Sequence, residues 1–64
     1  MTGEIDDPLR RLLHDLANPL SALLAETQLL LLNPDQLNPE TLASLKEIER
    51  LARRMRDMLH ATKA

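Results

Sequence analysis

One histidine in this chain has neighbours that could support chemistry at its imidazole ring. His14 is followed directly by Asp15, and Asn18 lies four residues further along. A neutral imidazole with a carboxylate near one ring nitrogen can use its other nitrogen as a nucleophile. On a helix Asn18 shares a face with His14, whereas Asp15 points about 100° further round. These residues predict a nucleophilic His14, oriented by Asp15, with the Asn18 amide placed to position a water or a transferred group.

Pro19 also marks this stretch, because it interrupts a pattern that otherwise predicts a helix. An interior proline removes one helical hydrogen bond, and its ring clashes with the carbonyl four residues back, at a cost of about 3 kcal/mol. Here that carbonyl belongs to Asp15, the neighbour of His14. A short helical protein that keeps such a defect beside its histidine is predicted to use the site.

Composition excludes several classes of protein. The chain has 64 residues, enough for one small domain, with no Cys and no Trp, Tyr or Phe. It therefore has no disulfide or thiolate metal site and no aromatic platform for bases. The net charge of −2 argues against nucleic acid as a partner. The longest apolar run, Leu29 to Leu32, is far too short for membrane insertion, and the acidic N-terminus lacks signal-peptide features, so we expect a cytoplasmic protein.

The pattern along the chain predicts an all-α fold. Residues 1–7 form a polar lead, and residues 8–64 form one helical-hairpin domain. Within it we expect helix 1 over about 8–32, a loop over 33–38 and helix 2 over about 39–62. Two helices of equal length joined by a short loop must lie antiparallel.

Capping residues support these boundaries. Asp7 is a good N-cap before Pro8, and Asn38 is one before Pro39, because proline fits the first helical position. Pro34 pushes the preceding residue out of the helical region and ends helix 1. Asn18 and Pro19 resemble the same cap, so helix 1 is alternatively two helices broken at Asn18. The continuous, kinked helix is favoured because the heptad phase passes through Pro19 unchanged.

Both helices carry a wide apolar stripe. Its residues alternate four- and three-residue spacing: Leu9, Leu13, Leu16, Leu20, Leu23, Thr27 and Leu30, then Leu45, Ile48, Ala52, Met55, Leu59 and Thr62. Met55 and Met58 are interpreted as core gap-fillers. A lone hairpin would leave a long apolar face exposed. We therefore expect a symmetric homodimer, in which two hairpins form a four-helix bundle.

The second histidine, His60, lacks the surroundings of His14. In the last turn of helix 2 a cation complements the macrodipole, which favours a structural or incidental role. If the loop centres near Gln36, His14 faces about position 58, and His60 and Arg56 then approach it. Two histidines without further clustered ligands fall short of a zinc site, so no metal is expected.

Residues 14–20 resemble a known motif. They read HDLANPL and are similar to the H box of sensor histidine kinases, whose pattern is His, an acidic residue, two variable positions, Thr or Asn, then Pro and usually Leu. That box lies on the first helix of the dimerization and histidine phosphotransfer domain, a hairpin that dimerises into a four-helix bundle. The resemblance extends from about Pro8 to Leu59, because hairpin length and motif position both agree.

The resemblance implies a role for each residue of the motif. His14 would accept a phosphoryl group and pass it to an aspartate of a response-regulator receiver domain. Asp15 would assist phosphotransfer from ATP, Asn18 would act in dephosphorylating the receiver, and Pro19 would bend the helix. Kinases of the family bind ATP and magnesium in a separate domain with Asn- and Gly-rich motifs. This chain has a single glycine and binds no cofactor in that way, so we expect a piece of a kinase or a freestanding phosphotransfer protein.

Two other interpretations remain open. The chain could be a structural dimerization bundle or adaptor without chemistry, or a small helical inhibitor that docks on a kinase bundle. A basic cluster on helix 2 is interpreted as a solvated face balanced by nearby acids, although it could also attract an acidic receiver surface. Its members are Arg50, Arg53, Arg54 and Arg56, and the acids are Glu47, Glu49 and Asp57.

Overall fold

The computed structural model describes residues 8–62, and over this range the chain is an all-α hairpin. Helix α1 spans Pro8–Leu31, a 3-10 turn spans Pro34–Gln36, and helix α2 spans Pro39–Ala61. The two helices pack against each other in antiparallel directions, which confirms the predicted fold class. The predicted polar lead over 1–7 and its Asp7 cap lie outside the described residues.

Local hydrogen bonds explain how the chain turns between the helices. The turn is closed by the amide of Leu37, which donates to the Pro34 carbonyl at 3.1 Å. The Asn38 side chain then accepts from the Thr41 amide at 2.7 Å, with Pro39 at the first helical position. Asn38 is therefore the N-cap of α2, as predicted, and satisfies an amide that the helix itself leaves without a partner.

Helix α1 runs through Pro19 without a break, so the alternative of two helices separated at Asn18 is wrong. Proline has no N–H, and the Asp15 carbonyl therefore lacks the donor that another residue would supply. Both residues are exposed, so water can solvate that carbonyl. Leu20 and Leu24 lie just after Pro19 in α1 and pack with Ala52 of α2. These contacts keep the same face of α1 against α2 beyond the proline.

Replacing Pro19 by alanine should raise the free energy of unfolding, because it restores a helical hydrogen bond and removes the ring clash. The gain is at most about 3 kcal/mol, the penalty of an interior proline. Thermal unfolding followed by circular dichroism measures it. Pro39→Ala is the matched control, since proline at a first helical position carries no such penalty. A lower melting temperature for Pro19→Ala would show that Pro19 acts as a cap.

The hairpin interface is formed by residues with alternating three- and four-residue spacing. On α1 they are Leu13, Ala17, Leu20, Leu24, Thr27 and Leu31; on α2 they are Leu42, Leu45, Glu49, Ala52, Arg56 and Leu59. Its centre is small, because Leu20, Leu24 and Ala52 are the only buried apolar residues between positions 8 and 62. The Thr27 hydroxyl is also buried and donates to the Leu23 carbonyl at 2.7 Å, so it is satisfied within its own helix.

The hairpin interface covers one part of the predicted apolar stripe of α1. Leu13, Leu20 and Thr27 of that stripe face α2, together with Ala17 and Leu24. Its other members are exposed, as expected for a lone hairpin: Leu9, Leu16, Leu23 and Leu30. The physical reason is that α1 carries apolar residues on more than one face, and a single partner helix covers only one of them.

Most of the exposed large apolar residues recur at three- and four-residue spacing along both helices, and the surface that they define is here called the open apolar face. Its members are Leu9, Leu12, Leu16, Leu23, Leu30, Ile48, Leu51, Met55 and Met58. Met55 and Met58 are 53% and 59% exposed in the single hairpin, so their interpretation as core gap-fillers remains a prediction for the dimer. They line an open groove between the helices with Leu16, Leu20 and Leu59.

The opposite side of the hairpin is polar and includes a link between the helices. The Gln28 amide donates to the Glu49 carboxylate at 3.3 Å, and Arg53 donates to the same carboxylate at 3.1 Å. The hairpin therefore has two unlike sides, one apolar and one hydrogen-bonded. This asymmetry gives the molecule one surface suited to burial and another suited to water.

The basic cluster of α2 is largely balanced by acids on the same helix, as predicted. Arg50 donates to Glu47 at 2.9 Å, and Arg56 lies 3.3 Å from Asp57. The hydrogen bond from Arg50 lowers the pKa of Glu47, and the same contact raises the pKa of Arg50. Both side chains are exposed, so the pair adds little to stability.

Candidate functional site

His14 lies on the exposed part of α1, at the edge of the hairpin interface. Its neighbours Leu13 and Ala17 are half-buried against α2, whereas the His14 ring is exposed. With Arg10, one turn earlier, these residues form the α1 wall of an open cavity of about 240 Å³. His14 therefore combines a fixed backbone position with a ring that another molecule can reach.

The last turn of α2 forms the other wall of this cavity. Leu59, His60 and Thr62 line it. The predicted pairing placed His14 opposite about position 58, with His60 and Arg56 nearby. In the structure His60 lines the same cavity as His14. Arg56 does not line the cavity, and its guanidinium instead pairs with Asp57.

The other residues of the motif remain close to His14 without being bonded to it. Asn18 is exposed one turn further along, on the same face of α1 as His14, and Asp15 is exposed about 100° round the helix. Within residues 8–62, no hydrogen bond or ion pair joins His14, Asp15 or Asn18 to another side chain. The carboxylate and the amide are thus available to an incoming molecule. Pro19 leaves the backbone between them with one hydrogen bond fewer.

The cavity contains two residues that the motif alone does not indicate, Arg10 and His60. For Arg10, the sequence contained no indication of a place in the site other than its position four residues before His14. His60 could be placed only after the hairpin was assumed, since it is 46 residues away in sequence (60 − 14). Both bring cationic or hydrogen-bond-donating groups to the same space as the His14 ring.

No metal centre is formed by the described side chains. Over residues 8–62, no group of three or more His, Cys, Asp or Glu side chains is placed to hold an ion. The His14 and His60 pair therefore lacks the further ligands that a zinc site needs. Neither described helix combines the length and the apolar character that crossing a membrane requires.

Comparison with known protein families gives this geometry a context. Residues 7–62 match the His Kinase A (phospho-acceptor) domain. The match covers nearly the whole chain, and the chain therefore belongs to this family. It is a phospho-acceptor and dimerization domain of two-component signal transduction, of the histidine kinase type, and such domains lack the ATP site. Comparison with curated proteins and with solved structures found no significant match for this chain.

Proposed function

We propose that His14 is the phosphoacceptor of this domain, and that the phosphoryl group passes from it to an aspartate of a response-regulator receiver domain. The observation that carries the proposal is the position of the HDLANPL motif in a hairpin of this family, with an exposed histidine beside a cavity. His60, the only other histidine, lies in the last turn of α2 without an adjacent Asn-Pro pair. The domain's activity therefore centres on the His14 ring.

The proposed reaction has two steps. In the first, a ring nitrogen of His14 attacks the terminal phosphorus of ATP, the N–P bond forms, and the bond from that phosphorus to the bridging oxygen breaks to release ADP. The imidazole loses its N–H proton in this step. In the second, a carboxylate oxygen of the receiver aspartate attacks the phosphorus, the N–P bond breaks, and the imidazole regains a proton.

Three neighbouring residues are proposed to assist. Asp15 orients the ring and accepts its proton, and its exposed carboxylate has no partner within residues 8–62 that would prevent this. Asn18 positions the water that hydrolyses the phosphorylated receiver. Pro19 bends α1 and leaves the Asp15 carbonyl without its helical donor, which keeps this turn adjustable.

The partners follow from the surfaces of the hairpin. We propose that a second copy covers the open apolar face to form a four-helix bundle, which leaves the His14 side accessible to other domains. We propose that a separate catalytic domain holds ATP and magnesium, as in the histidine kinases that the motif resembles. The receiver domain docks near His14. Since ATP and receiver domains act inside the cell, the proposed location is the cytoplasm.

A reconstituted phosphorelay tests the proposal. A purified kinase catalytic domain and labelled ATP are added to the protein, and a receiver domain is added afterwards. We expect acid-labile label to appear first on this protein and then to decrease as label appears on the receiver. A purely structural bundle, or an inhibitor that docks on a kinase, would gain no label under the same conditions.

Asp15→Asn should slow the gain of phosphate while leaving the fold intact. The amide fills the same exposed space but cannot accept the imidazole proton, so the rate should fall by about a hundredfold, the lower end of what a general base contributes. Single-turnover labelling measures this rate. Glu26→Gln is the matched control, an exposed carboxylate of α1 outside the motif. Equal rates for Asp15→Asn and the native protein would remove Asp15 from the mechanism.

Asn18→Ala should have a different defect. The gain of phosphate on His14 should remain largely intact, because the amide does not take part in that step. Hydrolysis of the phosphorylated receiver should slow by about tenfold, since a side chain that orients a water is lost. The decay of receiver label in the presence of each variant measures it, with Ser21→Ala as the control on the same helix. Slower labelling of His14 in Asn18→Ala would instead place Asn18 in the first step.

A further inference from the structure

The cavity beside His14 contains a second imidazole whose donors are unused. The His60 side chain is exposed, and within residues 8–62 its imidazole has no hydrogen-bond or ion-pair partner. In either protonation state an imidazole carries at least one N–H donor. The hydroxyl of Thr62, on the same wall, already donates to the Met58 carbonyl at 2.9 Å. His60 is thus the side chain of α2 that can offer a donor to a group attached to His14.

A phosphoryl group on His14 would bring negative charge and three acceptor oxygens to this place. Among residues 8–62, the side chains that line the cavity include no carboxylate. The nearest acid before His60 on α2 is Asp57, which pairs with Arg56 at 3.3 Å. The described surroundings of the cavity therefore favour an anion.

We propose that His60 is a phosphoryl-binding residue, which donates from α2 to the phosphoryl oxygens while that group is transferred to and from the His14 ring. This inference rests on the proposed function of His14 and adds a residue from the opposite helix. The contact stabilises the charge that spreads over the equatorial oxygens during transfer. It also makes the site a property of the hairpin, because His14 and His60 meet only when the two helices pair.

The test uses phosphoramidate as a small phosphodonor, so that no kinase catalytic domain is needed. A His14 ring nitrogen attacks the phosphorus, the new N–P bond forms, and the N–P bond to the amine breaks. The leaving ammonia carries away the imidazole proton as ammonium. The gain of phosphate is followed by phosphorus NMR and by mass spectrometry of the intact protein, with the signal from His14→Gln subtracted as the blank.

His60→Ala should slow the gain of phosphate on His14 by about threefold to fivefold, the size expected for an exposed contact to a charged group. His60→Arg should restore the rate, because it returns N–H donors without the imidazole. The phosphorus chemical shift of phosphorylated His14 should differ between His60→Ala and the native protein, since the donor next to the phosphoryl oxygens is lost.

Arg54→Gln is the matched control, an exposed cation of the same helix that does not line the cavity. It should label at the native rate. The inference is overturned if His60→Ala matches the native protein, if His60→Arg fails to restore the rate, or if Arg54→Gln slows labelling equally. If the native protein gains no phosphate on His14, the proposed function itself fails, a result distinct from these three.

Discussion

Replacing His14 by glutamine should abolish acid-labile phosphorylation of this protein while leaving its fold unchanged. Glutamine keeps a polar side chain of similar reach but has no nitrogen that can attack phosphorus. The His14 side chain is exposed and makes no hydrogen bond within residues 8–62. Its replacement should therefore change the free energy of unfolding by no more than about 0.5 kcal/mol. Label from the catalytic domain and ATP should fall to the background of the assay, and the receiver should receive none.

His60→Gln is the informative comparison for this result, because it removes the other histidine of the same cavity. It should still gain label, because His14 is intact, and any slowing should be limited to the few-fold effect proposed for the His60 contact. Circular dichroism and sedimentation of both variants must match the native protein. Equal labelling of His14→Gln and the native protein would contradict the phosphotransfer function and leave the structural bundle as the better account.

Much of the hairpin could be predicted because its signals are local. Asn38 and Pro39 define the start of α2 through a side-chain cap and a missing N–H, and both effects act within one turn. The proline before the loop acts in the same way on the end of α1. At Pro19 the local signal was ambiguous between a cap and a kink. The heptad phase resolved it, because residues on both sides must pack on the same partner.

The division of the apolar stripe could not be predicted from spacing alone. Leu16 and Leu20 belong to one pattern in the sequence, yet Leu20 is 6% exposed and Leu16 is 46% exposed. Which row faces α2 depends on how closely the helices approach, and Ala17 and Ala52 contribute small side chains at the interface. The residues that face α2 are decided by the tertiary packing of the two helices. The sequence therefore predicts the width of the apolar stripe but not which of its residues the hairpin buries.

In the candidate site too, residues close in sequence could be placed from the sequence, whereas residues brought in from the other helix could be placed only in part. His14, Asp15 and Asn18 lie within five consecutive positions, and their arrangement on one helix follows from helical periodicity. The α2 wall depends on the pairing of distant residues. A loop centred near Gln36 was enough to bring His60 close, but it placed Arg56 there as well. Arg56 pairs with Asp57, one of the acids that the sequence offered to balance the basic cluster, and spacing alone does not decide between that local contact and an approach to His14.

A charge placed in the open apolar face should dissociate and unfold the protein. Leu23 is 48% exposed in the hairpin, so in a stable monomer Leu23→Glu would change stability by about 0.5 kcal/mol or less. In the proposed homodimer the exposed half of each Leu23 side chain becomes buried, which contributes about 0.7–1.5 kcal/mol per copy. Two copies give about 1.4–3 kcal/mol before the cost of burying a charge, so the dissociation constant should rise at least about tenfold.

Sedimentation equilibrium and thermal unfolding at several protein concentrations measure this effect. The native protein should sediment at twice the chain mass at micromolar concentration, and its melting temperature should rise with concentration, as mass action requires. Ala25→Glu is the matched control, because it adds the same charge at an exposed position outside the open apolar face. It should remain dimeric.

The hairpin buries only Leu20, Leu24 and Ala52 among its described apolar residues, and this core is too small to fold alone. Leu23→Glu should therefore lose helix content as well as dissociate into monomers. A folded native monomer, or identical behaviour of the two glutamate variants, would contradict the four-helix bundle.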